Sequence, residues 1–342
     1  MKKLLFSIAA LLLGFLAHAQ EADDLGRYAE VTFIPRLDAN LAVPSGSSSD
    51  DPASFTLGNT SFYTLFEGAL SEHFSWTVVN HWFSSSNPGD LYSFIGRSDE
   101  NSLFDYACVD LSYGNWNFNL GKSSLKFGWF EGCPWDWEAD TDIASSVWNA
   151  LVVYQWGAAV SYTTNSGMST FTAQMATSPY GKHPFSSGLY VYNANWEGEY
   201  GPFRNLWSAA AIQQAPGQYQ WLFTLGQQVD LGDFTLGLDW ANKFGFDDEI
   251  DGEYVILVPG YTINATIDYA PSERFEVGAK AVLQASRLEE TETWNVFGAY
   301  GHWYPLRESR DLRVHASFGI GEYVGGVSAT IGVLYNFTLP RR

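Results

Sequence analysis

The sequence predicts an all-β fold, a transmembrane antiparallel up-and-down β-barrel of about sixteen strands. Three observations predict it. An export signal opens the chain, apolar and polar residues alternate through most of the remainder, and aromatic residues stand at the ends of the apolar faces. We expect short turns at the periplasmic end of the barrel and long loops at the external end. Counts of fourteen and eighteen strands stay open, because strand boundaries read from a sequence carry errors of a few residues.

Residues 1–19 are predicted to be the export signal. Two lysines supply its positive start, residues 4–16 form an apolar run, and residues 17–19 (AHA) fit an A-x-A cleavage site. The apolar run is too short to span a bilayer as a helix. We therefore expect cleavage after residue 19 and a single outer-membrane barrel domain over residues 20–342.

The composition limits the class of partner. The chain has 342 residues, with 38 acidic against 18 basic side chains and a formal net charge of −20. This charge excludes nucleic acid as a partner, since a phosphate backbone requires a basic surface. Aromatic residues make up 17% of the chain while there are only two cysteines and three methionines, which argues against a disulfide scaffold and against a helical bundle.

Alternation is clearest near the C-terminus. Over residues 326–339, apolar side chains from Val327 to Phe337 take every second position, and small polar side chains take most of the positions between. A period of two with one apolar and one polar face indicates half-buried strands. A soluble β-sandwich also alternates, but aromatic residues at the ends of the apolar faces, such as Trp116 and Phe337, favour the aromatic girdles of a membrane barrel.

The same pattern, followed along the chain, predicts the individual strands. They are 28–41, 59–70, 73–84, 103–113, 115–125, 151–164, 168–178, 189–199, 204–213, 218–230, 233–245, 253–269, 273–287, 293–304, 311–320 and 326–339. The connections after even-numbered strands are all short. The long ones, at 42–58, 85–102, 126–150 and 179–188, follow odd-numbered strands, so the two kinds lie at opposite ends of the barrel, as outer-membrane barrels require.

The third long connection contains an unusual acidic and aromatic stretch, EGCPWDWEADTD at residues 131–142. Here the chain resembles the sixteen-stranded general porins of Gram-negative bacteria. The resemblance rests on NLGKSSLKFGWFEG (119–132), the acidic loop, the following strand VVYQWGAAVSYT (152–163) and the final GVLYNF (332–337). It departs from the family at the end of the chain, where residues 338–342 follow the terminal aromatic.

The resemblance implies a function and a set of partners. These are passive diffusion of small hydrophilic solutes or ions, a position in the lipid of the outer membrane, and a homotrimer or contacts with other outer-membrane proteins. It also implies that the third loop folds into the barrel and narrows the channel. A solvated external loop is the alternative. The rival function is a structural or accessory barrel, a subunit of a larger outer-membrane complex whose lumen is closed by loops.

An inward third loop would bring its carboxylates to the narrowest point of the channel and favour cations there, because low-dielectric walls focus the field of lumenal charges. The acids predicted at the constriction are Glu131, Asp136, Glu138, Asp140 and Asp142. Candidate bases on the facing wall, selected because alternation turns them toward the lumen, are Arg36, His81, Lys243, Lys280 and Arg313.

The two cysteines offer one further contact. Alternation points Cys108 into the lumen, and Cys133 lies in the third loop. A disulfide between them would hold the loop to the wall and stabilise the fold by roughly 3 kcal/mol in the chain-entropy model. Two free thiols are the alternative, since alternation does not supply the Cα distance that a disulfide needs.

The chain carries little sign of catalysis. It contains no G-x-S-x-G, H-E-x-x-H or Walker motif. The acids from Asp136 to Asp140 alternate like the start of an EF-hand loop, but Thr141 replaces the required glycine and Val147 the bidentate glutamate. We therefore expect neither an enzyme, nor a metal, nor a cofactor.

Overall fold

The computed structural model describes residues 28–44, 53–84, 104–151, 153–181, 185–245, 257, 259–287, 292–322 and 325–339. The predicted signal at 1–19 lies outside these ranges, as do the whole of the connection 85–102 and part of the connection 42–58.

The described residues form one antiparallel sheet of eighteen strands. In chain order, β1 to β18 are Tyr28–Pro44, Ser54–Thr56, Ser61–Ser71, Phe74–Ser84, Tyr106–Tyr113, Trp116–Ser124, Tyr154–Thr163, Ser169–Thr177, Tyr190–Tyr200, Phe203–Ala215, Gln218–Asp230, Phe234–Gly245, Gly260–Ser272, Phe275–Ser286, Thr293–Trp303, Leu312–Gly321, Gly326–Tyr335 and Phe337–Thr338.

The sheet closes on itself through β1. One edge of β1 pairs with β3 over residues 28–36, and β1 also pairs with β17 over residues 36–44. The three-residue β2 and the two-residue β18 also pair with β1, where they continue the lines of β3 and β17. The architecture is thus a closed sixteen-stranded barrel with two short extra strands, which confirms the predicted fold class.

The two faces of the sheet differ in polarity as the alternation predicts. On β1, Leu37 points outward and is 62% exposed, while its neighbours Arg36 and Asp38 point into the barrel and are 3% and 2% exposed. On β17, Ile331 is 62% exposed on the outside and Thr330 is 8% exposed inside. Successive side chains of a strand point to opposite faces, so one apolar and one polar surface result.

Exposed aromatic side chains form a girdle around the short-turn end of the barrel. Its members are Tyr113, Trp116, Phe171, Tyr200, Phe234, Tyr269, Phe275, Trp303, Tyr335 and Phe337. Several are stacked in pairs, such as Phe234 and Tyr269, whose ring centroids lie 4.5 Å apart. Amphipathic rings at this level are typical of the interfacial belts of membrane barrels.

Helical structure in the described ranges lies between β6 and β7. It consists of a 3₁₀ turn at Thr141–Ile143 and an α-helix at Ser146–Ala150, which we call α1. Among the described residues, no helix has the length and apolar character needed to cross a membrane.

Candidate functional site

The connection between β6 and β7 runs inside the barrel, and we call residues 125–151 the lumenal segment. Its first contact with the wall is at Lys126, whose backbone N–H donates to the side chain of Gln174 on β8 at 2.9 Å. The carbonyl of Lys126 accepts from the amides of Asn193 and Asn195 on β9, at 2.7 and 3.1 Å. The segment therefore leaves the end of β6 and follows the inner wall.

Gly128 brings the backbone of the segment directly onto β10. Its N–H donates to the hydroxyls of Ser208 and Thr224, at 2.9 and 2.8 Å. A Cβ at this position would collide with the backbone of Trp207 and Ser208. Only glycine allows the two backbones to approach so closely, which gives the KFGWF stretch a structural reason.

Across the middle of the barrel, the segment contacts β12 and β14. The N–H groups of Phe130 and Glu131 donate to the two carboxylate oxygens of Asp239, each at 2.9 Å. The carboxylate of Glu131 pairs with the ammonium of Lys280 at 2.6 Å, and both side chains are at most 10% exposed. Asp239 thus anchors the backbone of the segment, and Lys280 neutralises its first acid.

On the opposite wall, two arginines hold the backbone carbonyls of the segment. The guanidinium of Arg36 on β1 donates to the carbonyls of Trp137 and Ala139, at 2.9 and 2.8 Å, and pairs with Asp38 at 2.8 Å. Arg313 on β16 donates to the carbonyl of Glu138 at 3.0 Å. Charged donors make the stronger hydrogen bonds, so this is a firm attachment.

The last two acids of the segment bind side chains of the wall. Asp140 lies 3.1 Å from Nε2 of His302 on β15. Asp142 accepts hydrogen bonds from Ser317 (2.7 Å), Ser328 (2.6 Å) and Asn40 (2.9 Å). Burial raises the pKa of Asp140, but its hydrogen bond with His302 and the charges of His302 and Arg313 together outweigh that effect and leave the pKa below its ordinary value.

Helix α1 returns the chain toward β7. Ser145 caps the helix by accepting from the N–H of Trp148 at 3.2 Å, and its own N–H and hydroxyl donate to Glu131. Next to the cap, Ser146 hydrogen-bonds Gln284 on β14. The start of the acidic stretch, at Glu131, is therefore bonded to the start of α1, at Ser145, and both places are attached to β14.

A first apolar cluster fixes the segment to the lumen face of β8–β12. The segment contributes Leu125, Phe127, Trp129, Val147 and Leu151. The wall contributes Ala176, Val191, Ala210, Ile212, Leu222 and Ala241, of which Val191, Ile212 and Leu222 are 0% exposed. The interior of the barrel thus holds a hydrophobic core of its own, which sequence alternation alone does not predict.

A second, aromatic cluster fixes the segment on the side of β3–β5. Trp137 packs on Tyr63, with ring centroids 4.9 Å apart, and stacks on Trp135 at 4.8 Å. Trp135 in turn meets the edge of Tyr106 at 5.5 Å. Trp137 and Tyr63 are 3% and 5% exposed, so these rings pack the segment against the wall.

The five predicted acids all lie inside the barrel but differ in their contacts. Glu131, Asp140 and Asp142 bind the wall as described. Asp136 accepts from the hydroxyl of Tyr154 at 3.2 Å, and Glu138 accepts from the N–H of Trp135 at 3.1 Å. Burial, with the nearby charge of Asp105, raises the pKa of Asp136 to about 6.

Three of the five candidate bases touch the lumenal segment, namely Arg36, Lys280 and Arg313. His81 and Lys243 contact residues outside the segment. His81 lies 3.4 Å from Asp105 and stacks on Tyr63, and Lys243 donates to Thr262 at 3.3 Å. Four wall residues that bind the segment were not singled out by the sequence analysis. Their only signal in the sequence is a polar side chain on the inward face; they are Asn40, Gln284, His302 and Ser328.

Of the two alternatives left open for the cysteines, the structure has the two free thiols, at Cys108 and Cys133, and not the disulfide. Cys108 points inward as expected, but its sulfur lies by Asp110 on β5 and Asn119 on β6. Cys133 lies on the far side of the lumen, where the charges of Asp239 and Glu197 act on it. Attachment of residues 128–131 to β10–β12 carries Cys133 away from β5.

The thiols give a direct test. Cys133 is exposed to the lumen, but the protein around it shields its thiol from much of the water, and this desolvation raises the pKa of the thiol to about 11. Only the thiolate reacts quickly. We expect a small maleimide to label Cys133 slowly at pH 7, faster at pH 9, and to spare buried Cys108. Mass spectrometry of peptides, with Cys133→Ser as the control, measures this; a Cys108–Cys133 peptide pair before reduction would contradict it.

Among the described residues, cavities on the short-turn side of the segment include a larger and a smaller one. The larger, about 680 Å³, lies between the segment and β7–β10. The smaller, about 340 Å³, lies between the segment and β11–β16. Pro134 and Trp148 line both and separate them. Within the described part of the chain, no three His, Cys, Asp or Glu side chains are grouped in a way that would hold a metal ion.

No protein-family model matches this sequence, and no curated protein matches it. Solved structures do. OmpF of Salmonella typhi, in complex with daunomycin, has a TM-score of 0.63 at 11% identity, over 91% of this chain and 98% of that one. The outer membrane channel DcaP of Acinetobacter baumannii has a TM-score of 0.57 at 12% identity, over 91% and 98%. A mutant porin of Rh. blastica has a TM-score of 0.57 at 11% identity, over 91% and 100%. At such identities the similarity concerns the fold, and the fold of this chain is that of the sixteen-stranded porins.

Proposed function

We propose that the protein is an outer-membrane porin, a passive channel for small hydrophilic solutes and ions that prefers cations. The observation that carries this proposal is the lumenal segment. A closed barrel of about sixteen strands with no such insertion would leave a wide aqueous channel. Here residues 125–151 cross that space and bind walls on both sides, so the channel runs past them through a narrow section.

Similar structures and the outer surface support the same proposal. The structures with the same fold include a protein described as an outer membrane channel and another described as a porin. The outward face is apolar and bounded by aromatic rings, as lipid contact requires. One OmpT structure of Vibrio cholerae is described as a trimer, and we propose a homotrimer for this chain also.

We assign the preference for cations to two of the five predicted constriction acids, Asp136 and Glu138. Glu131 is neutralised by Lys280, and Asp140 and Asp142 are held by the wall, so these three mainly position the segment. Asp136 and Glu138 bind only neutral groups in the contacts described, the hydroxyl of Tyr154 and the N–H of Trp135. Their charge is available to attract cations, because no base pairs with it directly.

Ion selectivity should then depend on pH. With a pKa of about 6, Asp136 is mostly ionised at pH 7.5 and mostly protonated at pH 5. We expect the K⁺ over Cl⁻ preference, measured as the reversal potential in a KCl gradient, to fall as the pH is lowered from 7.5 to 5. Asp136→Asn should reduce this dependence, whereas Glu72→Gln on a short turn should retain it. An unchanged pH dependence in Asp136→Asn would refute the assignment.

Swelling of liposomes tests the channel itself. Vesicles that contain the purified, folded barrel are placed in solutions of glycine, arabinose, sucrose and raffinose. We expect rapid swelling with the smallest solutes and a steep fall with size, because the segment narrows the path. Swelling no faster than in protein-free vesicles, for all four solutes, would refute passive diffusion.

The second candidate is a structural or accessory barrel whose lumen is closed by loops. One observation favours it. The segment is fixed by an apolar cluster on β8–β12 and by an aromatic cluster on β3–β5, so it reaches across the whole lumen. A folded barrel that conducts neither solutes nor ions, and that is recovered with other outer-membrane proteins after mild solubilisation, would support this function over the first.

A further inference from the structure

The larger cavity beneath the lumenal segment has the features of a ligand site, and we call it the aromatic cavity. Six aromatic rings line it, those of Tyr106, Phe127, Trp129, Trp135, Trp148 and Tyr154. Its volume of about 680 Å³ lies within the range of about 300–1,000 Å³ found for small-molecule sites. It is therefore large enough to enclose most of a drug-sized solute.

The space and the rings are both fixed by their surroundings. The wall of the cavity on β7 and β8 carries short hydroxyl side chains, and those of Ser161 and Thr172 bond to one another at 2.8 Å. On the side of the segment, Trp135 is backed by Trp137, with the two rings only 8° from parallel. Rigid rings opposite a short-chained wall keep the cavity open, and a ligand need not order them on binding.

The charged groups around the aromatic cavity have both signs. Asp136 and Glu197 contribute carboxylates, Lys126 contributes an ammonium, and Asn149 and Asn195 contribute amides. An anion would meet the two carboxylates and a cation would meet the ammonium, so neither uses the complete set. A solute without net charge, whose hydroxyls both donate and accept, can bond to all of these groups.

Sugars have this combination of properties. One face of a pyranose ring presents C–H groups, which pack on aromatic rings, while the rim presents hydroxyls for carboxylate, amide and ammonium groups. We propose that the aromatic cavity binds an uncharged sugar, a short oligosaccharide, that enters the lumen. This inference rests on the proposed channel function, because the sugar reaches the cavity by way of the lumen.

Calorimetric titration of the folded barrel in detergent tests the site, with maltotriose, cellotriose and xylotriose as neutral probes and phenethylammonium as a cationic one. We expect saturable binding of at least one sugar. Trp148→Leu should weaken it by about tenfold, the loss that one stacking ring accounts for. Glu197→Gln, at an exposed lumenal position, should weaken it also. Trp303→Leu, on the outer surface and 48% exposed, should leave it unchanged.

Heat-dependent mobility on electrophoresis confirms that each variant is folded. The proposal is overturned if none of the three sugars binds, if Trp148→Leu binds as the unchanged protein does, or if phenethylammonium binds more tightly than every sugar. Current recordings separate this result from the proposed function. A barrel that conducts ions but binds no sugar overturns the site alone, and one that binds sugar without conducting overturns the channel alone.

Discussion

Replacing Arg36 by methionine is expected to give single channels that carry a larger and noisier current than those of the unchanged protein. The Arg36 guanidinium is 3% exposed and holds the carbonyls of Trp137 and Ala139 while it pairs with Asp38. Methionine retains much of the side-chain volume but none of the hydrogen bonds. The centre of the lumenal segment, which depends on them, should therefore move in the channel.

The same substitution should also lower the stability of the barrel. It leaves Asp38 buried without its guanidinium partner and with His315, at 3.0 Å, as a remaining contact. Breaking a buried ion pair typically costs about 3–5 kcal/mol, which is the upper bound here because His315 stays in place. Lys243→Met is the matched control, since Lys243 is a 4% exposed lumenal cation that donates to Thr262 on the neighbouring strand. If Arg36→Met shows the conductance and noise of Lys243→Met, the hydrogen bonds of Arg36 do not hold the segment.

Neutralising Asp136 and Glu138 together, with Asp136→Asn and Glu138→Gln, is expected to move the reversal potential in a KCl gradient strongly toward zero at an almost unchanged conductance. Both substitutions preserve shape, and neither acid is bonded to a base. Removing two fixed charges from a narrow, low-dielectric passage weakens its potential for cations directly.

Two comparisons sharpen this experiment. Glu72→Gln with Glu308→Gln removes the same charge from exposed positions on short turns and should leave the reversal potential nearly unchanged. Asp142→Ala should instead destabilise the segment, because the hydroxyls of Ser317 and Ser328 lose their acceptor, at about 1–3 kcal/mol for each buried group left unsatisfied. A selectivity that follows total charge rather than these positions would contradict the division of the acids into two groups.

The barrel was predictable from the sequence because a strand carries its orientation in a period of two. Residues 311–320 alternate without a break and residues 326–339 do so except at Leu334, and β16 and β17 begin and end within a few residues of those spans. The inward direction of Arg36, Cys108 and Arg313 followed from the same period. The segregation of long and short connections supplied the order of the strands around the barrel.

The interior contacts were not predictable in this way. Val191, Ile212 and Leu222 lie on the lumen face, where alternation leads one to expect polar groups, and they are buried in one apolar cluster with Phe127 and Val147 of the segment. A connection between strands has no period from which to derive such partners. The choice between a disulfide and two free thiols stayed open for the same reason, since facing the lumen says nothing about which side of it a residue occupies.

The measurement that tests the central claim most directly is the single-channel conductance of the purified, folded barrel in a planar bilayer, with a KCl gradient to read selectivity. The proposed function predicts small, steady openings that favour K⁺, and larger, noisier openings in Arg36→Met. A folded barrel that remains silent, both unchanged and as Arg36→Met, would contradict the claim that solutes and ions pass beside the lumenal segment.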